Sequence, residues 1–268
     1  MLETWSHSSG LDWRVSFLQE CWFYFRVCRN WRAVIQARRR NTALNEFVLK
    51  RGGRIHFTGA PPFQIFQEIW RYRQYTPSFF HGSAPRTVVD IGANIGIFSL
   101  YARQRWQDAR VVAFEPAPEN FALLQENVRS CSGRAIEIRR AAITEGKGTT
   151  SFYLKREAGW HSIFSEPDSQ KITVETLGLA ELMQEHALDT IDFLKLDCEG
   201  AEYSILVGNE QLLRDKIRWL AIEYHEVGGH RVQEIQDTLA GAAFVFETHP
   251  QPGWQTGMLY AVNSAMKG

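Results

Sequence analysis

The feature that most constrains the fold is the stretch of residues 87–116, in which two β-forming runs enclose a glycine turn and a helix. The first run ends on Asp90 and the second ends on Glu115. Gly92 and Gly96 bracket the turn, where a side chain would block a close approach. The pattern predicts a strand, turn, helix and strand that form a nucleotide-sized pocket. An acid about 20 residues after the turn is placed to hold ribose hydroxyls.

The turn departs from the G-x-G-x-x-G fingerprint of dinucleotide-binding proteins. Asn94 replaces the middle glycine, and no third glycine follows Gly96 at the required spacing. Asp90 brings negative charge, which suits a cation better than the pyrophosphate of a dinucleotide. S-adenosylmethionine carries an amino group, a sulfonium and no phosphate. The sequence therefore favours this methyl donor over NAD, and a tight turn without a ligand is the third interpretation.

Length and composition limit the remaining possibilities. The 268 residues allow one large α/β domain with an N-terminal addition, and the zero formal net charge gives no support for nucleic-acid binding. The four cysteines form no C-x-x-C pair, which argues against a zinc site and a disulfide scaffold. We expect a cytoplasmic protein in a reducing compartment, with neither a signal peptide nor an apolar run of the roughly 20 residues that a membrane span needs.

Residues 1–60 are predicted to form an extension made of an aromatic helix over 11–40 and a hairpin around Gly52 and Gly53. The helix carries a wide apolar stripe and several arginines toward its end. It could cover the main domain, contact a second copy or another partner, or lie peripherally on an anionic membrane. Residues 61–85 are predicted to connect this extension to the main domain and to cover the ligand. Residues 86–268 are predicted to form the S-adenosylmethionine-binding domain.

A second informative stretch spans residues 189–204. A buried strand ends at Asp197, and Glu199 and Glu202 follow within six residues. Carboxylates gathered at the carboxyl end of a strand are costly without a use, and ligands of open α/β sheets lie outside those ends. The alternative is that Glu199 and Glu202 only complement the next helix N-terminus.

A later strand, over 217–225, delivers Glu223 and His225 to its end on one face. A neutral His225 could accept a proton, and a structural, hydrogen-bonded histidine is the alternative. Ala142, at the end of a third strand predicted over 135–143, would border an adenine ring or simply pack. His161, in a predicted loop, is a further candidate for orienting a substrate.

Taken together, these motifs resemble a known family. D-I-G-A-N-I-G at 90–96, F-E-P at 114–116 and L-K-L-D-C-E-G-A-E at 194–202 resemble the FkbM family of S-adenosylmethionine-dependent methyltransferases. The resemblance covers about residues 66–263. It implies a class I, Rossmann-like α/β fold with a seven-stranded sheet and an antiparallel last strand. It also implies O-methylation of a hydroxyl of a sugar, a glycan or a natural product, with Gly92 near the methionine moiety and Glu115 on the ribose.

The expected donor site comprises Asp90, Gly92, Asn94, Gly96, Glu115, Ala142 and Asp197. Asp197 or His225 is the expected base, because an aliphatic hydroxyl must lose its proton as it attacks. Glu199 and Glu223 would then position a small-molecule or glycan acceptor.

Two groups of alternatives stay open. Asp197, Glu199 and Glu223 could instead bind Mg²⁺, which is less favoured because no dedicated loop is present. The protein could also be an inactive donor-binding regulatory or scaffold subunit, or an NAD-linked oxidoreductase.

Overall fold

The computed structural model describes residues 12–80, 82–154 and 169–266, of which residues 12–15 are described by their backbone alone. The helices in chain order are α1 (Asp12–Val27), α2 (Trp31–Arg40), α3 (Phe63–Trp70), α4 (Ile97–Arg105), α5 (Pro118–Arg129), α6 (Leu179–Glu185), α7 (Glu202–Leu206), α8 (Glu210–Lys216) and α9 (Val232–Gly241). The strands are β1 (Glu46–Val48), β2 (Arg54–His56), β3 (Thr87–Ile91), β4 (Arg110–Phe114), β5 (Glu137–Arg139), β6 (Ala142–Ile143), β7 (Gly148–Leu154), β8 (Gln170–Leu177), β9 (Ile191–Leu196), β10 (Ile217–His225), β11 (Phe244–Pro250) and β12 (Thr256–Asn263).

The central element is a seven-stranded sheet with the order β5-β4-β3-β9-β10-β12-β11. Neighbours from β5 to β10 run parallel, whereas β12 is antiparallel to both β10 and β11. The central strands are mostly apolar and mostly buried, as expected for a parallel sheet between helices. The α/β class I architecture with an antiparallel last strand is thereby confirmed. The carboxyl ends of β3, β4, β9 and β10 meet at one edge.

The predicted third strand over 135–143 is wrong in its extent. Only Glu137–Arg139 joins the large sheet, whereas Ala142–Ile143 pairs with β8 in a separate three-stranded sheet of order β6-β8-β7. The chain therefore changes sheets after Arg139, and the apolar pattern alone does not show this change. The hairpin around Gly52 and Gly53 is confirmed as the β1–β2 pair.

The prediction of a single helix over 11–40 is also wrong, because the helix is interrupted between α1 and α2. At this break the backbone N–H of Arg29 donates to the carbonyl of Val48 at 2.7 Å. The Asn30 side chain binds both β1 ends, accepting from Val48 N and donating to Glu46 O at 3.0 Å each. The Arg29 N–H, which a continuous helix would bond to the carbonyl of Phe25, is thus used by β1, and the Asn30 side chain holds the break in place.

One face of α1 packs on the main domain. Phe23 and Tyr24 are buried, and the Tyr24 ring stacks on Phe66 of α3 with centroids 6.1 Å apart. Gln67 donates to the Tyr24 hydroxyl at 3.2 Å. The β2 strand of the extension also binds the main domain, since the backbone N–H of His56 donates to Oδ1 of Asn127 in α5 at 2.6 Å. The inward face of the helix is therefore a packed cover. Among the described residues, no helix combines the length and apolar character needed to cross a membrane.

Candidate active site

The glycine turn joins β3 to α4 at the carboxyl edge of the sheet. Gly92 has φ +74°, Asn94 has φ +51° and Gly96 has φ +89°, so three of five turn positions lie in the left-handed region. A Cβ at Gly92 would overlap the backbone oxygen of Asp197. The glycine therefore allows the ends of β3 and β9 to touch, and the two motifs found in the sequence form one structural unit.

Glu115 lies directly after β4 and faces this turn. Its Oε2 accepts the backbone N–H of Asn94 at 2.8 Å, and its Oε1 accepts that of Ala117 at 2.8 Å. The side chain is buried, and burial raises its pKa to about 7 even though both N–H groups favour the ionised form. Each oxygen retains a lone pair, so the carboxylate can still accept hydroxyl groups from a ligand.

Asp90, which the sequence suggested as a source of negative charge for a cationic ligand, is fully buried. Its Oδ2 accepts the Ser99 hydroxyl at 2.6 Å, and its Oδ1 lies 3.1 Å from the Nζ of Lys195. The charge of Asp90 is therefore balanced inside the protein, and its position supports the turn from behind.

Lys195 is a residue of the candidate site that the sequence analysis missed. Its Nζ donates to the carbonyl of Gly92 at 2.7 Å and lies 3.6 Å from Asp197 Oδ2. Burial lowers the pKa of this amine, but the charges of Asp90 and Asp197 outweigh burial and raise it. Lys195 therefore stays charged and links the turn to both acids. The available signal was a lysine among the apolar residues at 193–196 of strand β9.

Tyr75 was also missed, and it joins two of the predicted acids. Its hydroxyl lies 2.9 Å from Asp197 Oδ2 and 2.6 Å from Glu223 Oε2. Tyr75 is buried in the segment before β3, beside Phe98. Burial and the charge of Asp197 raise the pKa of Glu223 to about 8. The segment predicted over 61–85 thus contributes directly to the acid group, which we define as Asp197, Glu199 and Glu223.

His225 lies between two glutamates at the end of β10. Its Nδ1 is 3.3 Å from Glu202 Oε1, and its Nε2 is 3.6 Å from Glu199 Oε2. Burial lowers the pKa of His225, but its hydrogen bond to Glu202 and the neighbouring carboxylates raise it to about 10. The imidazole consequently carries two protons near neutral pH, unlike the neutral ring that the sequence suggested.

Glu202 fixes the turn that carries the other acids. It is fully buried, and its two oxygens accept the backbone N–H groups of Cys198 and Gly200 at 2.9 Å each. Glu199, inside this turn, has φ +53°. Glu202 thus has the supporting role that the sequence analysis offered as an alternative, whereas Asp197 and Glu199 remain partly exposed.

The geometry changes the candidate metal ligands. Asp197, Glu199 and His225 each offer a ligand atom, and these atoms lie within 4.8 Å of one another. Glu223, the third ligand suggested by the sequence, instead contacts Tyr75. A metal ion would have to displace a proton from His225.

Of the remaining candidates, Ala142 packs with Ala117, Phe152 and Val174 in a small apolar cluster. Ala117 is two residues after Glu115, so this cluster adjoins the acid of the donor site. His161 lies outside the described residues.

Comparisons with known proteins identify methyltransferases that are similar in sequence to this chain. Methyltransferase sdnD from Sordaria araneosa is 28% identical over 180 residues, which cover 54% of this chain and 69% of that protein. The 31-O-demethyl-FK506 methyltransferase FkbM from Streptomyces tacrolimicus is 27% identical over 224 residues, 70% of this chain and 84% of that protein. Hexuronic acid methyltransferase AglP from Haloferax volcanii is 27% identical over 171 residues, 60% of this chain and 68% of that protein.

The family assignment rests on the same region of the chain. Residues 90–246 match the methyltransferase FkbM domain, which is more than half of the 268 residues. The matched region begins at Asp90 and includes the glycine turn, Glu115 and the whole acid group on β9 and β10. The chain therefore belongs to the FkbM family of methyltransferases.

Proposed function

We propose that the protein is an S-adenosylmethionine-dependent O-methyltransferase that acts on a hydroxyl of a sugar, a glycan or a natural product. The observation that carries this proposal is the contact between Gly92 and the backbone oxygen of Asp197. Because of this contact, the donor turn and the acid group share one edge of the sheet. A methyl donor on the turn and a hydroxyl on the acids would then be neighbours.

The residues around the turn fit the donor. Glu115 keeps acceptor capacity for the two ribose hydroxyls, since each oxygen uses one lone pair on a backbone N–H. The turn from Gly92 to Gly96 would border the methionine moiety, and Ala142 would leave space beside the adenine. When bound, S-adenosylmethionine supplies a methyl group that its sulfonium already activates.

Asp197 is the base in this proposal. Its Oδ2 accepts from Tyr75, with Lys195 nearby, and its Oδ1 has no hydrogen bond from the described residues, so it would accept the acceptor hydroxyl. Lys195 and Tyr75 keep this carboxylate oriented while it takes the hydroxyl proton. His225, as an imidazolium, does not act as the base; it orients Glu199, which can accept a second hydroxyl of the acceptor. Mg²⁺ is not required for this route.

The proposed acceptor class follows from the chemistry of the acids and from the relatives. Asp197 and Glu199 offer carboxylate oxygens side by side, which suits an acceptor with neighbouring hydroxyls. The names of two relatives specify a hexuronic acid and a demethylated FK506, both of which carry hydroxyl groups. This similarity supports a polyhydroxylated acceptor for this chain.

Two experiments test the donor assignment and the acceptor assignment separately. Calorimetric titration with S-adenosylhomocysteine should show binding in the micromolar range or tighter, and NADH should not bind. Glu115→Ala should abolish the binding, whereas Trp254→Ala, at an exposed site, should leave it unchanged. Methyl transfer is then sought by mass spectrometry with a hexuronic acid glycoside and a macrolide polyol. Binding of NADH, or equal binding by Glu115→Ala, would refute the donor assignment.

A further inference from the structure

Among the described residues of the extension, the large exposed apolar side chains lie on the outward face of α1. Leu18, Trp22 and Phe25 recur at helical spacing and have 65%, 59% and 42% of their surface exposed. Phe23 and Tyr24, on the opposite face, are already buried against α3. The packing of α1 on the main domain therefore leaves this stripe uncovered among the described residues. Exposed apolar patches of this kind commonly mark interaction sites.

Basic side chains surround the stripe and lie over its rings. Arg26 lies 5.8 Å from the Trp22 ring centroid, and Lys50 lies 4.0 Å from that of Phe25. Trp31 extends the patch, since its ring meets Phe25 edge-on at 5.7 Å, and Arg32 lies over it at 5.3 Å. We call this surface the aromatic–basic face, defined by Leu18, Trp22, Arg26, Phe25, Trp31, Arg32 and Lys50.

The charged side chains around this face are predominantly positive. Residues 16–54 contain nine arginines and lysines but only two glutamates, in a chain whose formal net charge is zero. Both glutamates are already paired, Glu20 with Arg38 and Glu46 with Arg54. The rest of the chain carries the matching excess of acid. The extension is therefore a cationic region on a neutral protein.

We propose that the aromatic–basic face docks on an anionic phospholipid bilayer. Aromatic and aliphatic side chains can enter the boundary between headgroups and acyl chains while flanking arginines and lysines bind lipid phosphates. A second copy fits this face less well, because an isologous contact would set the same cationic surface against itself. Single-stranded RNA could also bind the basic groups and the rings, but the exposed Leu18 offers no aromatic face on which a base could stack. This inference is independent of the proposed methyl transfer.

Flotation of the full chain with vesicles tests the proposal. It should bind vesicles that contain phosphatidylglycerol in phosphatidylcholine, bind vesicles of phosphatidylcholine alone much more weakly, and be released by high salt. Trp22→Ala/Phe25→Ala should weaken binding by about tenfold or more. Arg26→Gln/Arg32→Gln/Lys50→Gln should weaken it by roughly fivefold for each charge removed.

Matched controls lie elsewhere on the surface. Trp254→Ala removes an equally exposed tryptophan, and Arg214→Gln/Lys216→Gln removes exposed charges at the end of α8. Both should bind vesicles like the unmodified protein, and circular dichroism should show that all variants are folded. The proposal fails if the unmodified chain does not bind anionic vesicles or if the controls lose as much binding. It also fails if the face variants abolish self-association or RNA binding but leave vesicle binding unchanged.

Discussion

The Tyr75 hydroxyl lies 2.6 Å from Oε2 of Glu223, and the same hydroxyl lies 2.9 Å from Oδ2 of Asp197. A phenol has one proton, so it cannot donate to two ionised carboxylates at once. Glu223 must supply the second proton. This agrees with its pKa of about 8, which burial and the charge of Asp197 have raised. With Glu223 protonated, the chain of donors runs from Glu223 through Tyr75 to Asp197.

Glu223→Gln should therefore keep most of the activity near neutral pH. The amide can donate to Tyr75 as the neutral carboxyl does, and it has no proton to lose. We expect kcat within a few-fold of the unmodified enzyme, with loss of the inflection near pH 8 in the kcat profile. Glu223→Ala, which removes the donor, should reduce kcat by about tenfold or more.

The companion variant for this prediction is Tyr75→Phe. It removes the link to Asp197 but retains the ring against Phe98. It should lower kcat by about tenfold to a hundredfold and leave affinity for S-adenosylhomocysteine unchanged. Equal losses in Glu223→Gln and Glu223→Ala would instead mean that Glu223 acts as a carboxylate.

Asp197→Asn should remove the base without dismantling the turn. Lys195 would still be paired with Asp90, and the backbone oxygen that meets Gly92 is unchanged. We expect kcat to fall by roughly a hundredfold or more, with donor affinity retained within a few-fold. The measurement is steady-state methyl transfer beside calorimetry with S-adenosylhomocysteine. Full turnover in Asp197→Asn would remove this carboxylate from the chemistry.

Donor affinity should depend on pH through Glu115. Its pKa of about 7 lies above the ordinary glutamate value, so a fraction of the free protein carries a proton there at neutral pH. Ribose hydroxyls donate to the ionised form, and binding at lower pH must therefore release that proton. Affinity for S-adenosylhomocysteine should be constant above about pH 8 and fall by roughly tenfold at about pH 6. Glu115→Gln should bind more weakly and lose this dependence, whereas a flat profile in the unmodified protein would contradict the assignment.

Several elements could be predicted from the sequence because their signals are local. The strand over 217–225 is found with the same bounds, since a long apolar run ends abruptly on polar residues. Gly92, Glu115 and Asp197 could be singled out because each lies at a strand end or in a tight turn. The edge where they meet follows from the parallel order of β3, β4 and β9.

The rest depends on contacts between distant parts of the chain. Tyr75 lies in an irregular segment and meets Asp197 across 122 residues, so no periodicity indicates it. The protonation of His225 depends on Glu202, which is 23 residues away and whose burial the sequence does not reveal. The break between α1 and α2 is set by hydrogen bonds to β1, which override a helical pattern that continues through it.

Lys195 and Asp90 should be among the most costly residues to alter singly. Both are buried, and their ion pair also supports the Gly92 carbonyl. Lys195→Met keeps the length of the side chain but leaves Asp90 without a cation. We expect a loss of about 3–5 kcal/mol in the free energy of unfolding, measured by urea denaturation. Arg54→Met, which breaks the exposed pair with Glu46, should cost less than about 1 kcal/mol. Lys195→Met/Asp90→Asn should regain part of the loss, because no charge then remains buried without a partner. If Lys195→Met were no more destabilising than Arg54→Met, the pair would not hold the ends of β3 and β9 together.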